Sequence, residues 1–366
     1  MKIRRALLML TAPLLLTACG TNGEVHTGGE LEAEVEENTS IENAEASSES
    51  DEITSKTALL SSIQTGAVYT DIETIAEATA SALGAQAYAD LTTIPLYTPT
   101  QLSYHMGYYF IEDCWNNRIL YCKTLSSYMP DWQILTDDLD GGHTVADDGT
   151  YLVMDDSDHN RILAYRYDER AEAFIQTDEM EIDNRPHYVL YDEERCIYYV
   201  LSSYGGTISE VTVTDGKLAL VGSHDYPNVS YTRSISILDG SLYMVTGTGF
   251  YYVIDYQGDW TVTDTETVCD EFWNMNYLTK IGSYYYLTSY IERDGSVGSH
   301  IARAQDLSAF SDGGYEELTD TFGLIGTPYF IAQLDHGYSL GEIDGTSHVY
   351  TFDVVDDEIC HVRRVL

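Results

Sequence analysis

The chain has 366 residues, with 18 lysines and arginines against 60 aspartates and glutamates, a formal charge of −42. Such a surface excludes a broad basic footprint for nucleic acid and repels anionic lipid headgroups. The 31 tyrosines set against only 7 prolines favour a sheet-rich domain with many half-exposed rings.

Met1-Lys2-Ile3-Arg4-Arg5 forms a short basic start, and residues 6–16 follow as an apolar run within the range of a signal peptide and too short to cross a bilayer. The run ends in Leu16-Thr17-Ala18-Cys19-Gly20, which resembles the bacterial lipobox. That resemblance implies cleavage after residue 18, a diacylglycerol thioether on Cys19, and an address on the outer face of the cell membrane, held on the bilayer through the lipid and not through a span. Loss of Lys2, Arg4 and Arg5 leaves the mature chain near −45. Residues 19–56 read as a disordered acidic tether, since 28–52 is rich in Glu, Ser, Thr and Ala and too poor in large apolar residues to fold. As a random coil it reaches roughly 30–35 Å. Residues 57–98 form a helical lead-in, with one helix over 70–89 opened by the capping box Thr70-Asp71-Ile72-Glu73.

From residue 99 to 366 the pattern changes to short strands separated by turn residues. Asn117-Arg118-Ile119-Leu120-Tyr121 is echoed by Asn160-Arg161-Ile162-Leu163-Ala164-Tyr165 at an offset of 43, and weaker echoes follow at Ile208, Tyr252, Ile301 and Val349 with steps of 46, 44, 49 and 48. A period of about 45 with four strands per unit is that of propeller blades, and six units fill the segment. The fold class is therefore all-β, a six-bladed propeller of four-stranded blades. Blade two shows the unit best: 142–146 as the inner strand, Asp148-Gly149 as its turn, 151–155 as the second strand, 157–160 as a turn, then 161–167 and 173–176. Asp156-Ser157-Asp158-His159-Asn160-Arg161-Ile162 resembles the NHL repeat, and Asp113-Cys114-Trp115-Asn116-Asn117-Arg118-Ile119 carries the same core. The other four blades keep the spacing and lose the Asn-Arg pair.

Three motifs are decoys. Gly337-Tyr338-Ser339-Leu340-Gly341 matches the serine-hydrolase elbow, but its flanks, down to the Asp344-Gly345 turn, offer no following helix. Asp156-Ser157-Asp158-His159-Asn160 begins like a calcium loop, yet Arg161 stands where that loop needs glycine. Asp137, Asp138 and Asp140 read as a solvated loop between blades. Beyond Cys19, Cys114, Cys122, Cys196, Cys269 and Cys360 are odd in number and irregular in spacing, which argues against a structural zinc site and favours free thiols, with one disulfide possible.

The innermost strand of each propeller blade lines the central channel, and ligands bind at a channel mouth. Alignment on the repeat places Gln101, His143, His187, Arg233, Asn276 and Tyr329 near the six strand starts, a set suited to binding. The expected function is a membrane-tethered extracytoplasmic propeller that binds a glycan, a peptide or an envelope protein at this mouth, without metal or cofactor and without nucleic acid. The alternative rests on Gly142-His143-Thr144-Val145 and Pro186-His187-Tyr188-Val189, which look like the strand starts of NHL-like propeller lyases. That resemblance implies a metal-assisted lyase or hydrolase in which His143 and His187 hold a divalent cation and Arg233 stabilises negative charge. No third histidine stands at an equivalent start, and His105 lies late in its blade.

Overall fold

The computed structural model describes residues 94–226, 228–343 and 347–366. The signal segment 1–18, Cys19, the tether 19–56, the lead-in up to residue 93 with its helix over 70–89, and the Asp344-Gly345 turn lie outside the described residues. The end of the lead-in, 94–98, carries no helix, and no helix among the described residues is long and apolar enough to cross a membrane.

Six antiparallel sheets of four strands follow one another along the chain, each built from consecutive strands. Blade one is β1 (Pro99–His105), β2 (Tyr108–Asp113), β3 (Arg118–Cys122) and β4 (Gln133–Thr136). Blade two is β5 (Val145–Asp147), β6 (Tyr151–Asp156), β7 (Arg161–Asp168) and β8 (Ala173–Glu181). Its inner strand is shorter than the sequence suggests and its outer strand longer. Blade three runs through β9 (Pro186–Asp192), β10 (Ile197–Ser202), β11 (Thr207–Thr214) and β12 (Lys217–Asp225), and blade four through β13 (Thr232–Leu238), β14 (Ser241–Thr246), β15 (Phe250–Asp255) and β16 (Thr261–Thr267). Blade five comprises β17 (Asn274–Ile281), β18 (Tyr284–Ile291), β19 (Val297–Ala304) and a two-residue β20 (Glu316–Glu317); short helices Ala309–Asp312 and Thr319–Phe322 flank that last strand. Blade six is β21 (Thr327–Gln333), β22 (Tyr338–Ile343), β23 (His348–Val355) and β24 (Glu358–Arg364).

The two clear repeats have one structural meaning. Asp113 and Arg118 are paired across the β2–β3 ladder, and Arg118 Nε donates to Asp113 Oδ2 at 2.8 Å; Asp156 and Arg161 do the same across β6–β7 at 2.7 Å. Each ion pair staples a hairpin whose turn ends in a left-handed asparagine, Asn117 at φ 57° or Asn160 at φ 54°. Gly206, Gly249 and Ser347 take positive φ at the same place, immediately before the third strand, and Gly295 does so two residues before β19. The repeat therefore preserves a left-handed backbone position. Glycine meets that need without Asn or the ion pair, which is why the later blades look degenerate.

The seams between blades are closed by side chains. An inner strand pairs with its own second strand on one edge and presents carbonyls to the neighbouring blade on the other. One polar side chain meets such a carbonyl at every seam. Thr100 Oγ1 donates to the His143 carbonyl (2.8 Å), Ser157 Oγ to Pro186 (2.5 Å), His187 Nδ1 to Arg233 (3.1 Å), Ser234 Oγ to Asn276 (2.8 Å) and Thr288 Oγ1 to Tyr329 (2.8 Å). Ser339 Oγ closes the ring by donating to Leu102 (2.5 Å). Ser339 is thus a buried structural residue inside β22, and the Gly337–Gly341 motif forms no nucleophile elbow. Gly341 is required there, because a Cβ would stand 2.7 Å from the Pro99 and Thr100 carbonyls of blade one.

Asp113 and Arg118 are both almost fully buried, whereas the Arg161 side chain keeps 20% of its surface in water. Removing one partner of a buried pair leaves an uncompensated charge, at a cost of about 3–5 kcal/mol. Arg118→Met is expected to lower the unfolding free energy from urea titration by that amount, Arg161→Met by clearly less, and Asp113→Asn combined with Arg118→Met to recover much of the loss.

Candidate functional site

Four of the six blade-start residues share a backbone device. The register between first and second strand slips at His187 (between Ser202↔Pro186 and Leu201↔Tyr188), at Arg233 (between Thr232↔Thr246 and Ser234↔Val245), at Asn276 (between Met275↔Ser289 and Tyr277↔Thr288) and at Tyr329 with Phe330 (between Pro328↔Glu342 and Ile331↔Leu340). Each is an extra residue in the ladder, and such a bulge re-aims its side chain out of the sheet alternation. His143 precedes β5, where its own N–H and that of Thr144 are held by the two oxygens of Asp155 at 3.0 and 2.8 Å. In blade one the slipped residue is Thr100, between Pro99↔Asp113 and Gln101↔Glu112. Gln101 therefore sits one residue past the equivalent position. It is buried, its Oε1 has no partner among the described residues, and it takes no part in the contacts that join the other five.

Those five converge. The His143 and His187 rings stack at a centroid distance of 3.8 Å and 25° between planes. Tyr329 lies 6.5 Å from the His143 ring, and its hydroxyl is 3.4 Å from His187 Nε2. Arg233 donates to Asn276 Oδ1, and Asn276 Nδ2 donates to the Pro328 carbonyl at 2.8 Å. All five are buried. His105 ends β1 with its Nδ1 2.6 Å from Asp147, apart from this cluster.

The hydrogen bonds place a proton on Nδ1 of both imidazoles, and burial favours their neutral form. His187 Nδ1 faces a carbonyl, so Nε2 accepts from Tyr329. His143 Nδ1 faces Asp155 Oδ2 at 3.3 Å and Ser157 Oγ at 3.1 Å, which leaves Nε2 to the Cys114 thiol at 3.7 Å. Burial lowers the His187 pKa well below the ordinary range, and the neighbouring His143, Arg185 and Arg233 add to it. Burial also lowers that of His143, with Asp155 working the other way, while burial raises the Cys114 thiol far above its usual value. A shared divalent cation does not fit this pair. All four ring nitrogens are engaged, and nearly parallel stacked rings direct their in-plane lone pairs to no common point. Among the described residues one group of three His, Cys or acidic ligand atoms lies within 4.8 Å, Asp353, Cys360 and His361, on the two outermost strands of blade six. The five cysteines from Cys114 onward are free thiols.

Beside the stacked histidines opens a cavity of about 420 Å³ lined by Ser157, Asp158, Asn160, Asp183, Asn184, Arg185 and Tyr204. Asn184 and Arg185 both take left-handed backbone angles, φ 63° and 64°, a conformation costing side-chain-bearing residues on the order of 1–3 kcal/mol. The surroundings over-determine it. Ser203 N–H and Tyr204 N–H donate to the Arg185 and Asn184 carbonyls, Asn160 Oδ1 accepts from Arg185 N–H, and Arg185 Nε donates to Asp158 at 2.6 Å. The Arg185 guanidinium lies 5.9 Å from the Tyr204 ring, and Tyr204 lies 5.9 Å from Tyr231, which packs against both His187 and Arg233.

No family model matches this chain, and no curated protein sequence matches it. Solved structures do. A candidate 6-phosphogluconolactonase of Bacteroides uniformis is 11% identical over 75% of this chain and 88% of its own, with a TM-score of 0.53. A second one, of Bacteroides fragilis, is 10% identical over 74% and 85%, with a TM-score of 0.52; Kuenenia stuttgartiensis hydrazine synthase is 14% identical over 71% and 78%, with a TM-score of 0.50. The likeness is one of fold.

Arg185, Tyr204 and Tyr231 escaped the sequence reading because the repeat says nothing of a loop preceding a strand. The one available signal was the cation immediately before Pro186-His187 in so acidic a chain.

His187 stays neutral in the fold but takes a proton in the unfolded chain as the pH falls below about 6.5, so its contribution to stability diminishes from that point downward toward its lowered folded pKa. Urea unfolding of wild type and His187→Asn across pH 5–8 should show a difference that tilts against the wild type below pH 6.5, by up to about 1.4 kcal/mol per pH unit.

Proposed function

We propose that this chain is a lipid-anchored extracytoplasmic propeller with NHL-like blades that binds a glycan, a peptide or an envelope protein at the mouth around Arg185, Tyr204 and the His143–His187 pair. The observation that carries the reading is the Asn184-Arg185 segment: two unfavourable backbone conformations are held in place beside a cavity whose size lies within that of ligand sites. The exposed Tyr204 ring suits a sugar face or an extended peptide, and the asparagines and aspartates of the lining offer donors and acceptors for either. Engaged histidine nitrogens and a protonated, buried Cys114 favour recognition over chemistry at this place. The lipobox resemblance around Cys19 supplies the address, and the acidic segment 19–56 supplies the reach.

Two measurements test this. Cys19→Ser should move the protein from the membrane fraction to the soluble one, and retention in the membrane would contradict the anchor. Against immobilised envelope polysaccharide and envelope peptide fractions, Arg185→Ala and Tyr204→Ala should each weaken retention at least about tenfold with the melting transition kept. Unchanged retention in both variants would remove the mouth from the account.

A further inference from the structure

Arg233 sets a charge balance that the rest of the molecule does not share. The other buried or half-buried arginines all touch a carboxylate: Arg118 on Asp113, Arg161 on Asp156, Arg185 on Asp158 and Arg303 on Glu316. Arg233 is 6% exposed and makes no ion pair among the described residues, in a protein with 60 acidic side chains. Asn276 takes one of its donors, and its Nε has no partner. Around the guanidinium stand the rings of Tyr231, Tyr290 and Tyr329 at 5.3, 5.8 and 5.8 Å. Tyrosine faces attract a cation but do not neutralise it, and a buried charge without an opposite partner is costly to hold.

Resting on the binding reading above, we propose that the mouth recognises a carboxylated sugar, its carboxylate received by Arg233 and its ring set against Tyr204 and Tyr231. A guanidinium whose buried Nε has no partner among the described residues matches the two oxygens of a carboxylate. A carboxylate suits Arg233 better than a phosphate, since Arg185 is already matched by Asp158, both histidines are neutral, and the neighbouring Asp155 opposes a second negative charge. The aromatic chain from Tyr204 through Tyr231 to Arg233 gives a ring surface leading to the cation, the arrangement a uronic acid presents in reverse. Asn160 and Asn184 line the cavity beside Tyr204 and offer donors and acceptors for its hydroxyls.

The test is isothermal titration of the full chain with a galacturonic acid oligomer, its fully methyl-esterified counterpart and a glutamate oligopeptide. The acid oligomer should bind, and the ester, which keeps the sugar and loses the charge, should bind about tenfold to a hundredfold more weakly. Arg233→Met should bind acid and ester alike, Arg233→Lys should retain part of the preference, and Tyr204→Ala should weaken both forms. The ester comparison uses the unaltered protein and so stands even if Arg233→Met fails to fold. Equal binding of acid and ester, lost together in Arg185→Ala, would overturn the carboxylate inference and leave the binding reading in place. Binding of the glutamate peptide without the sugar acid would overturn the sugar assignment, and binding of none of the three would overturn the inference as a whole.

Discussion

The structure depends on how the free edges of six inner strands are satisfied. Among the described residues each blade is made of consecutive strands, and no strand is exchanged between the first and last blades to latch the ring. The seams are held instead by buried side chains bonded to a carbonyl of the next blade, six of them running from Thr100 on His143 around to Ser339 on Leu102. A buried carbonyl left unmet costs about 1–3 kcal/mol, so these bonds decide whether the inner strands can lie side by side at all. Four of the six acceptor carbonyls belong to His143, Arg233, Asn276 and Tyr329. The residues whose backbones close the ring are the ones whose side chains crowd its mouth.

That coincidence has a mechanical cause. A bulge adds a residue that the neighbouring strand does not match, so its side chain leaves the alternation of the sheet. His187, Arg233, Asn276 and Tyr329 are such residues, and His143 is held before its strand by both oxygens of Asp155. The mouth is therefore preorganised by backbone geometry and by the seams. Its polar groups are mostly engaged with one another, while the buried Arg233 Nε has no partner among the described residues. At the rim Tyr204 is exposed and Arg185 half-buried.

Much of the architecture was legible in the chain. Asp113, Asn117 and Arg118 recur as Asp156, Asn160 and Arg161, and the recurrence marks a hairpin staple whose place in the blade sets the period. Blade number followed from that period. The later blades hid the motif because Gly206 and Gly249 meet the left-handed turn without the Asn-Arg pair. His143, His187, Arg233, Asn276 and Tyr329 stand at the blade starts where the repeat places them. Gln101 stands where strict counting puts it, but the bulge at Thr100 shifts the register, and no pattern of residue types announces a bulge. Arg185 and Tyr231 were illegible for a related reason. Their roles come from a loop held in unusual backbone angles and from rings meeting across blades, neither of which leaves a periodic trace.

The central claim is that Arg233 is the cation on which a ligand's charge is received. Nitrogen-15 spectra of the arginine Nε–H groups address it directly, since a buried guanidinium exchanges slowly enough to be observed. On adding a galacturonic acid oligomer, the Arg233 Nε resonance should shift toward that of a carboxylate-bonded arginine, while those of Arg118 and Arg303, already paired, stay in place. A bound oligomer that leaves Arg233 unmoved would contradict the account.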